Sequence, residues 1–136
     1  MILEGIRVLD WTGHQFGPIS TSMLGDLGAE VIKIEQRGVG DPSRGMERFA
    51  GIPIVLPNGH SLVYEACNRN KKGITIDLKN EEGRQVVYRL VEKSDVFVQN
   101  FRPGAATRLH LDYETLSKVN PKLIYASGSG FGPKGP

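Results

Sequence analysis

At 136 residues, with 39% apolar and 24% charged side chains, the chain has the make-up of an ordinary domain able to bury one core, so a single domain is expected. Its net charge of only +2 lacks the broad basic footprint that a nucleic-acid duplex requires, which excludes nucleic acid as a partner and makes any anion site a local one. The single cysteine, Cys67, excludes an internal disulfide and fits the reducing cytoplasm, and the absence of a leader-like start or of about 18 consecutive apolar residues argues against a membrane.

Five short apolar runs pace the chain: Ile6 to Asp10, Val31 to Glu35, Ile74 to Lys79, Val96 to Asn100 and Leu123 to Ser127. Strands buried on both faces read as unbroken Val/Ile/Leu runs, and helical crossovers return the chain so that the strands point one way. The pattern therefore predicts an α/β fold with a parallel sheet, and ligands of such sheets bind outside the carboxyl ends of the strands.

After the first run, residues 12–18 turn the chain, and Pro18 suits the first position of a helix that runs to about Leu27 and stops at Gly28. Asp10 is read as a hydrogen-bond acceptor that fixes this turn, with Trp11 and Phe16 packing beneath it. The second run precedes roughly two dozen Gly- and Pro-rich residues, longer than a compact domain leaves without structure, which marks a functional loop. His60 to Cys67 is weakly helical, and Asn68 to Gly73 forms a basic turn into the third strand. Asn80 is a plausible N-cap, Glu81 and Glu82 favour the helix dipole, and Val86, Val87, Leu90 and Val91 form an apolar stripe that ends near Lys93. The fourth strand leads into short helices at Ala105 to Leu109 and Tyr113 to Val119. Beyond the fifth, Phe131 to Pro136 is a Gly/Pro loop, an ending expected of a cut chain.

Several chemistries lack their signatures. No GxGxxG joins a first strand to its helix, no GxxxxGK[ST] phosphate loop occurs, and GxSxG is matched only in part by Gly128-Ser129-Gly130. His14, His60 and His110 have no metal-ligand spacing, so no metal is expected. The rim of strand ends offers more. Arg37, Lys71, Lys72, Lys79, Arg102 and Arg108 follow strand ends or adjoining turns, where they can converge on a polyphosphate or simply form a solvated rim. Gln15, in the first turn, can donate to a developing oxyanion or satisfy local backbone. Phe101, after Asn100, can cover an adenine or cap the core.

Read together, LEGIRVLDWT, the QFGP turn, LGDLGAEVIKIE, GDPSRG, NRNKKGITIDLK, EEGRQVVYRLVEKSDVFVQNFRPGA and LIYASGSGFGPKGP resemble the family III coenzyme A transferases, the formyl-CoA transferase and CaiB/BaiF group, in order and over nearly the whole chain. The resemblance implies a Rossmann-like fold in which residues 1–136 are the N-terminal part of the CoA-binding large domain, the rest of that domain and a small domain being absent. It implies transfer of CoA from an acyl-CoA thioester to a carboxylic acid through an aspartyl mixed anhydride, with the nucleophilic aspartate downstream of residue 136. The substrates are then acyl-CoA and a carboxylic acid, no cofactor is permanently bound, and the full-length protein is an interlocked homodimer in the cytoplasm.

Carried over residue by residue, the resemblance puts the catalytic, oxyanion-supporting glutamine at Gln15. It puts CoA contacts at the His14 backbone, Ile76, Lys79, Asn100, Phe101 and Arg108. Gln36 stands where relatives carry an arginine, and neighbouring Arg37 is assigned its phosphate contact. The 136 residues alone are expected to be inactive. The competing readings are an α-methylacyl-CoA racemase, whose relatives typically lack the first-turn glutamine, and an inert CoA-binding fragment.

Overall fold

A computed structural model describes residues 1–132. Its main sheet has five parallel strands: β1 (Arg7–Trp11), β2 (Glu30–Gln36), β5 (Lys71–Ile76), β6 (Val96–Gln99) and β7 (Ile124–Ser127), in the order β5-β2-β1-β6-β7. The expected α/β fold with a parallel sheet and helical crossovers is what the chain adopts. From β1 the chain builds outward through β2 to β5, then crosses back to place β6 on the other side of β1. That reversal is a topological switch, and it opens a crevice above the carboxyl ends of β1 and β6.

Side-chain alternation splits the sheet into two unlike faces. Leu9, Ile34, Ile76 and Phe97 point to one face, where Val87 and Val91 of α3 (Glu81–Val91) and Leu116 of α5 (Tyr113–Val119) complete an apolar core. Asn80 caps α3 by accepting from the Glu82 N–H at 3.1 Å, as its position in the sequence predicts. The opposite face has a small apolar cluster of Val8, Ala29 and Val31, followed by the buried polar side chains Asp10, Lys33 and Glu35.

That polar face explains why α1 (Phe16–Asp26) is turned contrary to its hydrophobicity. The helix buries Gly17, Pro18, Thr21 and Ser22, and exposes Phe16, Ile19 and Met23. Asp10 needs donors, and Thr21 supplies one through its hydroxyl at 2.7 Å. Phe16 is therefore 52% exposed rather than packed beneath the turn, whereas Trp11 is only 6% exposed. The helix also begins at Phe16, two residues before Pro18.

Two further expectations are corrected. The stretch after β2 carries structure, a 3-10 turn (Pro42–Gly45) and a small hairpin of β3 (Arg48–Phe49) and β4 (Ile52–Pro53), whereas the helix that follows, α2 (Leu62–Cys67), falls where His60 to Cys67 reads as weakly helical. The third main strand starts at Lys71, so Lys71 and Lys72, read as part of a turn, lie within it, and Asp77 to Asn80 form the turn that follows. Of the terminal Gly/Pro loop, Pro133 to Pro136 lie outside the described residues.

Candidate functional site

A cleft of about 240 Å³ lies at the carboxyl ends of β1, β2, β5 and β6. Its apolar walls are Trp11, Ile34, Ile76, Leu78, Phe101 and Leu109, with the Trp11 and Phe101 ring centroids 4.4 Å apart. Side-chain alternation produces this lining, because Trp11 and Ile76 end β1 and β5 on the core face and Phe101 follows β6 at the rim. Lys79 stands at the lip, after β5. Leu109 and Ala105 bring in α4 (Ala105–Arg108), whose last residue is Arg108.

The turn between β1 and α1 forms one wall and is held from two sides. Asn100 clamps Gly13 with its side-chain amide, accepting from the Gly13 N–H at 2.8 Å and donating to the Gly13 carbonyl at 2.9 Å. On the other side, the Lys33 ammonium donates to the Thr12 carbonyl at 2.9 Å, and the His14 N–H donates to Asp41 at 3.2 Å. Between these anchors His14 takes a φ of +66°, a region that costs a non-glycine residue free energy. Gln15 follows as the N-cap of α1, exposed, with no capping hydrogen bond from its side chain.

The wall after β2 rests on two charge pairs, one fully buried (Lys33–Asp41) and one in which a buried Glu35 meets a half-exposed Arg44. Glu35, at the end of β2, receives the Arg44 guanidinium through two bonds of 2.7 Å, the Asp41 N–H at 2.8 Å and the Tyr64 hydroxyl at 3.1 Å. Arg44 also lies 3.9 Å above the Tyr64 ring. Gly40 has a φ of +74°, and a Cβ there would sit 2.9 Å from the Glu35 carboxylate, so only glycine fits. Burial pushes the Glu35 carboxyl up, but Arg44, the Asp41 N–H and Tyr64 outweigh it and hold the group below the ordinary glutamate value. Tyr64 is driven the other way, by burial first and then by the negative charge of Glu35. Asp41, the second acid, pairs with Lys33 at 2.8 Å, both side chains 1% exposed, and accepts from the Ser43 N–H and hydroxyl. Its burial cost is outweighed by Lys33 and Ser43, which hold it below the ordinary aspartate value.

Of the predicted site residues, Ile76, Lys79 and Phe101 line the cleft directly, and Arg108 lies on the helix that closes it. Asn100 holds Gly13, itself a lining residue, and the His14 N–H is bonded to Asp41. Arg37 borders an adjoining open groove with Ile76 and Asp77. Arg37, Lys79, Arg102 and Arg108 are exposed, and among the described residues none of them joins an ion pair.

Two cations leave the rim set. Lys71 is buried against Asp10 at 2.7 Å and also donates to the Pro18 carbonyl and Asn68. Burial pulls its ammonium below the ordinary lysine value, against the opposing pull of Asp10. Lys72 pairs with Glu30, the first residue of β2, and so belongs to the amino end of the sheet. Both corrections follow from β5 starting at Lys71.

Sequence reasoning passed over Lys33, Asp41, Arg44 and Tyr64. One signal was present: a lysine inside the apolar run VIKIE has to be buried, and a buried lysine requires an acidic partner. Which acid would supply it depends on how the loop after β2 folds back. Among the described residues, no three His, Cys, Asp or Glu side chains could hold a metal ion, and no helix is long and apolar enough to cross a membrane.

Comparison with known proteins places this geometry. The chain is 46% identical over 131 residues to the formyl-CoA:oxalate CoA-transferase of Bradyrhizobium sp. (strain ORS 278), covering 96% of the chain and 29% of that protein. It is 44% identical over 134 residues to the succinyl-CoA:glutarate CoA-transferase of Mus musculus, covering 98% and 29%. A CaiB/BaiF family protein from Brucella suis superposes with a TM-score of 0.85 at 40% identity, over 98% of this chain and 35% of that one. The chain thus spans less than a third of the length of the curated relatives it matches. The family profile described as CoA-transferase family III matches residues 3–136, and with that match the strand order, the clamped first turn and the rim cleft have a common setting: the chain belongs to CoA-transferase family III.

Proposed function

We propose that this chain supplies the N-terminal, CoA-binding part of the large domain of an enzyme that moves CoA from an acyl-CoA thioester to a carboxylic acid. The observation that carries the reading is the cleft itself, an apolar slot between Trp11, Ile76 and Phe101 with Lys79 at its lip, Arg37 on the adjoining groove and Arg108 on the neighbouring helix α4, in a chain of this family. A CoA thioester has matching parts: an adenine and a pantetheine arm for the apolar walls, and phosphates for Arg37, Lys79 and Arg108. Gln15, exposed at the N-cap of α1 beside the cleft wall, is assigned as the amide donor to the thioester oxyanion.

On this reading an aspartate beyond residue 136 attacks the thioester carbonyl, forms an aspartyl mixed anhydride and releases CoA thiolate, and the acceptor acid enters through further covalent intermediates. The 136 residues alone bind CoA without turnover, the full-length protein works as an interlocked homodimer, and no permanently bound cofactor is needed. The single, buried Cys67 is consistent with a cytoplasmic location.

Calorimetry of CoA and acyl-CoA with the full-length protein tests the assignment. Each of Lys79→Ala and Arg108→Ala is expected to weaken binding about five- to tenfold, the loss of roughly 1 kcal/mol from one exposed cation–phosphate contact. Unchanged affinity in both variants removes these residues from the site. Exchange of an α-proton of the acyl group without CoA transfer would identify a racemase instead.

A further inference from the structure

From the geometry of the first turn we infer that the buried Lys33–Asp41 pair is a positioning device for Gln15. The inference rests on the transferase reading above, in which Gln15 is the oxyanion donor. The Gln15 side chain makes no capping hydrogen bond, and its backbone carbonyl accepts from the Ile19 N–H at 2.9 Å. The turn that leads into Gln15 is anchored at two points, the Thr12 carbonyl held by Lys33 and the His14 N–H held by Asp41.

Both anchors come from one ion pair, with Nζ and carboxylate 2.8 Å apart and each side chain 1% exposed. The pair joins the middle of β2 to the loop after it, and Ser43 fixes the carboxylate through its N–H and hydroxyl at 2.8 and 2.7 Å. Asn100 clamps Gly13 from the side of β6, so the turn is gripped at three successive residues. That grip holds His14 at φ +66°, a conformation the free turn would relax. Relaxation would rotate the following residue, and a displacement of about 1 Å at a reacting centre can cost on the order of 100-fold in rate.

The test is a double-mutant cycle in the full-length protein with Asp41→Asn and Gln15→Ala, reading kcat and KM for acyl-CoA. The isosteric Asp41→Asn keeps an acceptor oxygen but loses the charge that grips Lys33. It is expected to lower kcat about 10- to 100-fold while KM changes less than about threefold. In the Gln15→Ala background the same change should cost less than about threefold, because the group it positions is gone. Equal losses in both backgrounds, or no loss of kcat, overturn the inference.

Amide hydrogen exchange provides a readout independent of turnover. Asp41→Asn should speed exchange across residues 12–16 at least about tenfold while α3 is unchanged, and equal protection overturns the positioning role even if the protein transfers no CoA. If instead wild-type protein shows no CoA transfer but exchange responds as expected, the transferase reading fails and the positioning of the turn stands. Should Asp41→Asn not fold, Ser43→Ala removes a single donor from the same carboxylate and is expected to give the same pattern at smaller amplitude; an unaltered kcat and exchange profile in Ser43→Ala would then refute the proposal.

Discussion

Replacing Lys71 with methionine removes the ammonium from a fully buried site while nearly preserving side-chain volume. Asp10, 0% exposed, would keep the Thr12 and Thr21 hydroxyls as donors but lose its counter-charge, and the Pro18 carbonyl and Asn68 would each lose a donor. Breaking one side of a buried ion pair costs about 3–5 kcal/mol, because the surviving charge remains desolvated. With a urea m-value of about 2 kcal/mol/M, Lys71→Met should lower the unfolding midpoint of this chain by about 1.5–2.5 M, followed by far-UV circular dichroism. Neutralising the acid as well, in Asp10→Asn/Lys71→Met, should restore more than half of the loss, since no lone charge is then buried. A midpoint shift below about 0.5 M, combined with weaker CoA binding, would refute this reasoning and return Lys71 to the rim as a phosphate ligand.

Gly83 in the first turn of α3 lies against the preceding loop, and a Cβ there would stand 2.1 Å from the Asp77 carbonyl oxygen. Gly83→Ala should therefore cost about 1–3 kcal/mol in spite of the better helix propensity of alanine, and a raised melting temperature would contradict the packing. Acid should also destabilise the fold through Glu35 and Asp41, both held below their ordinary values. Their contribution is complete above the unfolded carboxylate range near pH 4 and is lost as pH falls through the lower folded values, because the unfolded chain takes up protons first. Unfolding free energy measured from pH 7 to pH 2 should fall below about pH 4, less steeply in Glu35→Gln than in wild type. Parallel profiles would remove Glu35 from the linkage.

How much of this was legible beforehand differs by type of residue. The strands announced themselves because strands covered on both faces must be continuously apolar, and α3 did so because its stripe, N-cap and acidic first turn all agree. Phe16 was misplaced for a definable reason: it is apolar, but which side of α1 is buried depends on whether the sheet face beneath is apolar or carries Asp10. The rim site was only partly readable. Lys79 and Phe101 follow strand ends and so could be placed by topology, Ile76 came from the family resemblance, and Lys71 and Lys72 were misplaced by a strand that begins a few residues sooner than its apolar run.

Local sequence by itself therefore determined the parallel α/β architecture and the rim from which any ligand must be approached, since both depend on short-range periodicity and on the direction of the strands. Tertiary structure alone decided which charges face solvent and which are buried in pairs. Lys33 meets Asp41, and Lys71 meets Asp10 across 61 positions of sequence, only after the sheet is assembled. Desolvation is a property of that assembled environment, so Lys71 and Lys72, neighbours in the chain, become a buried structural cation and an exposed one.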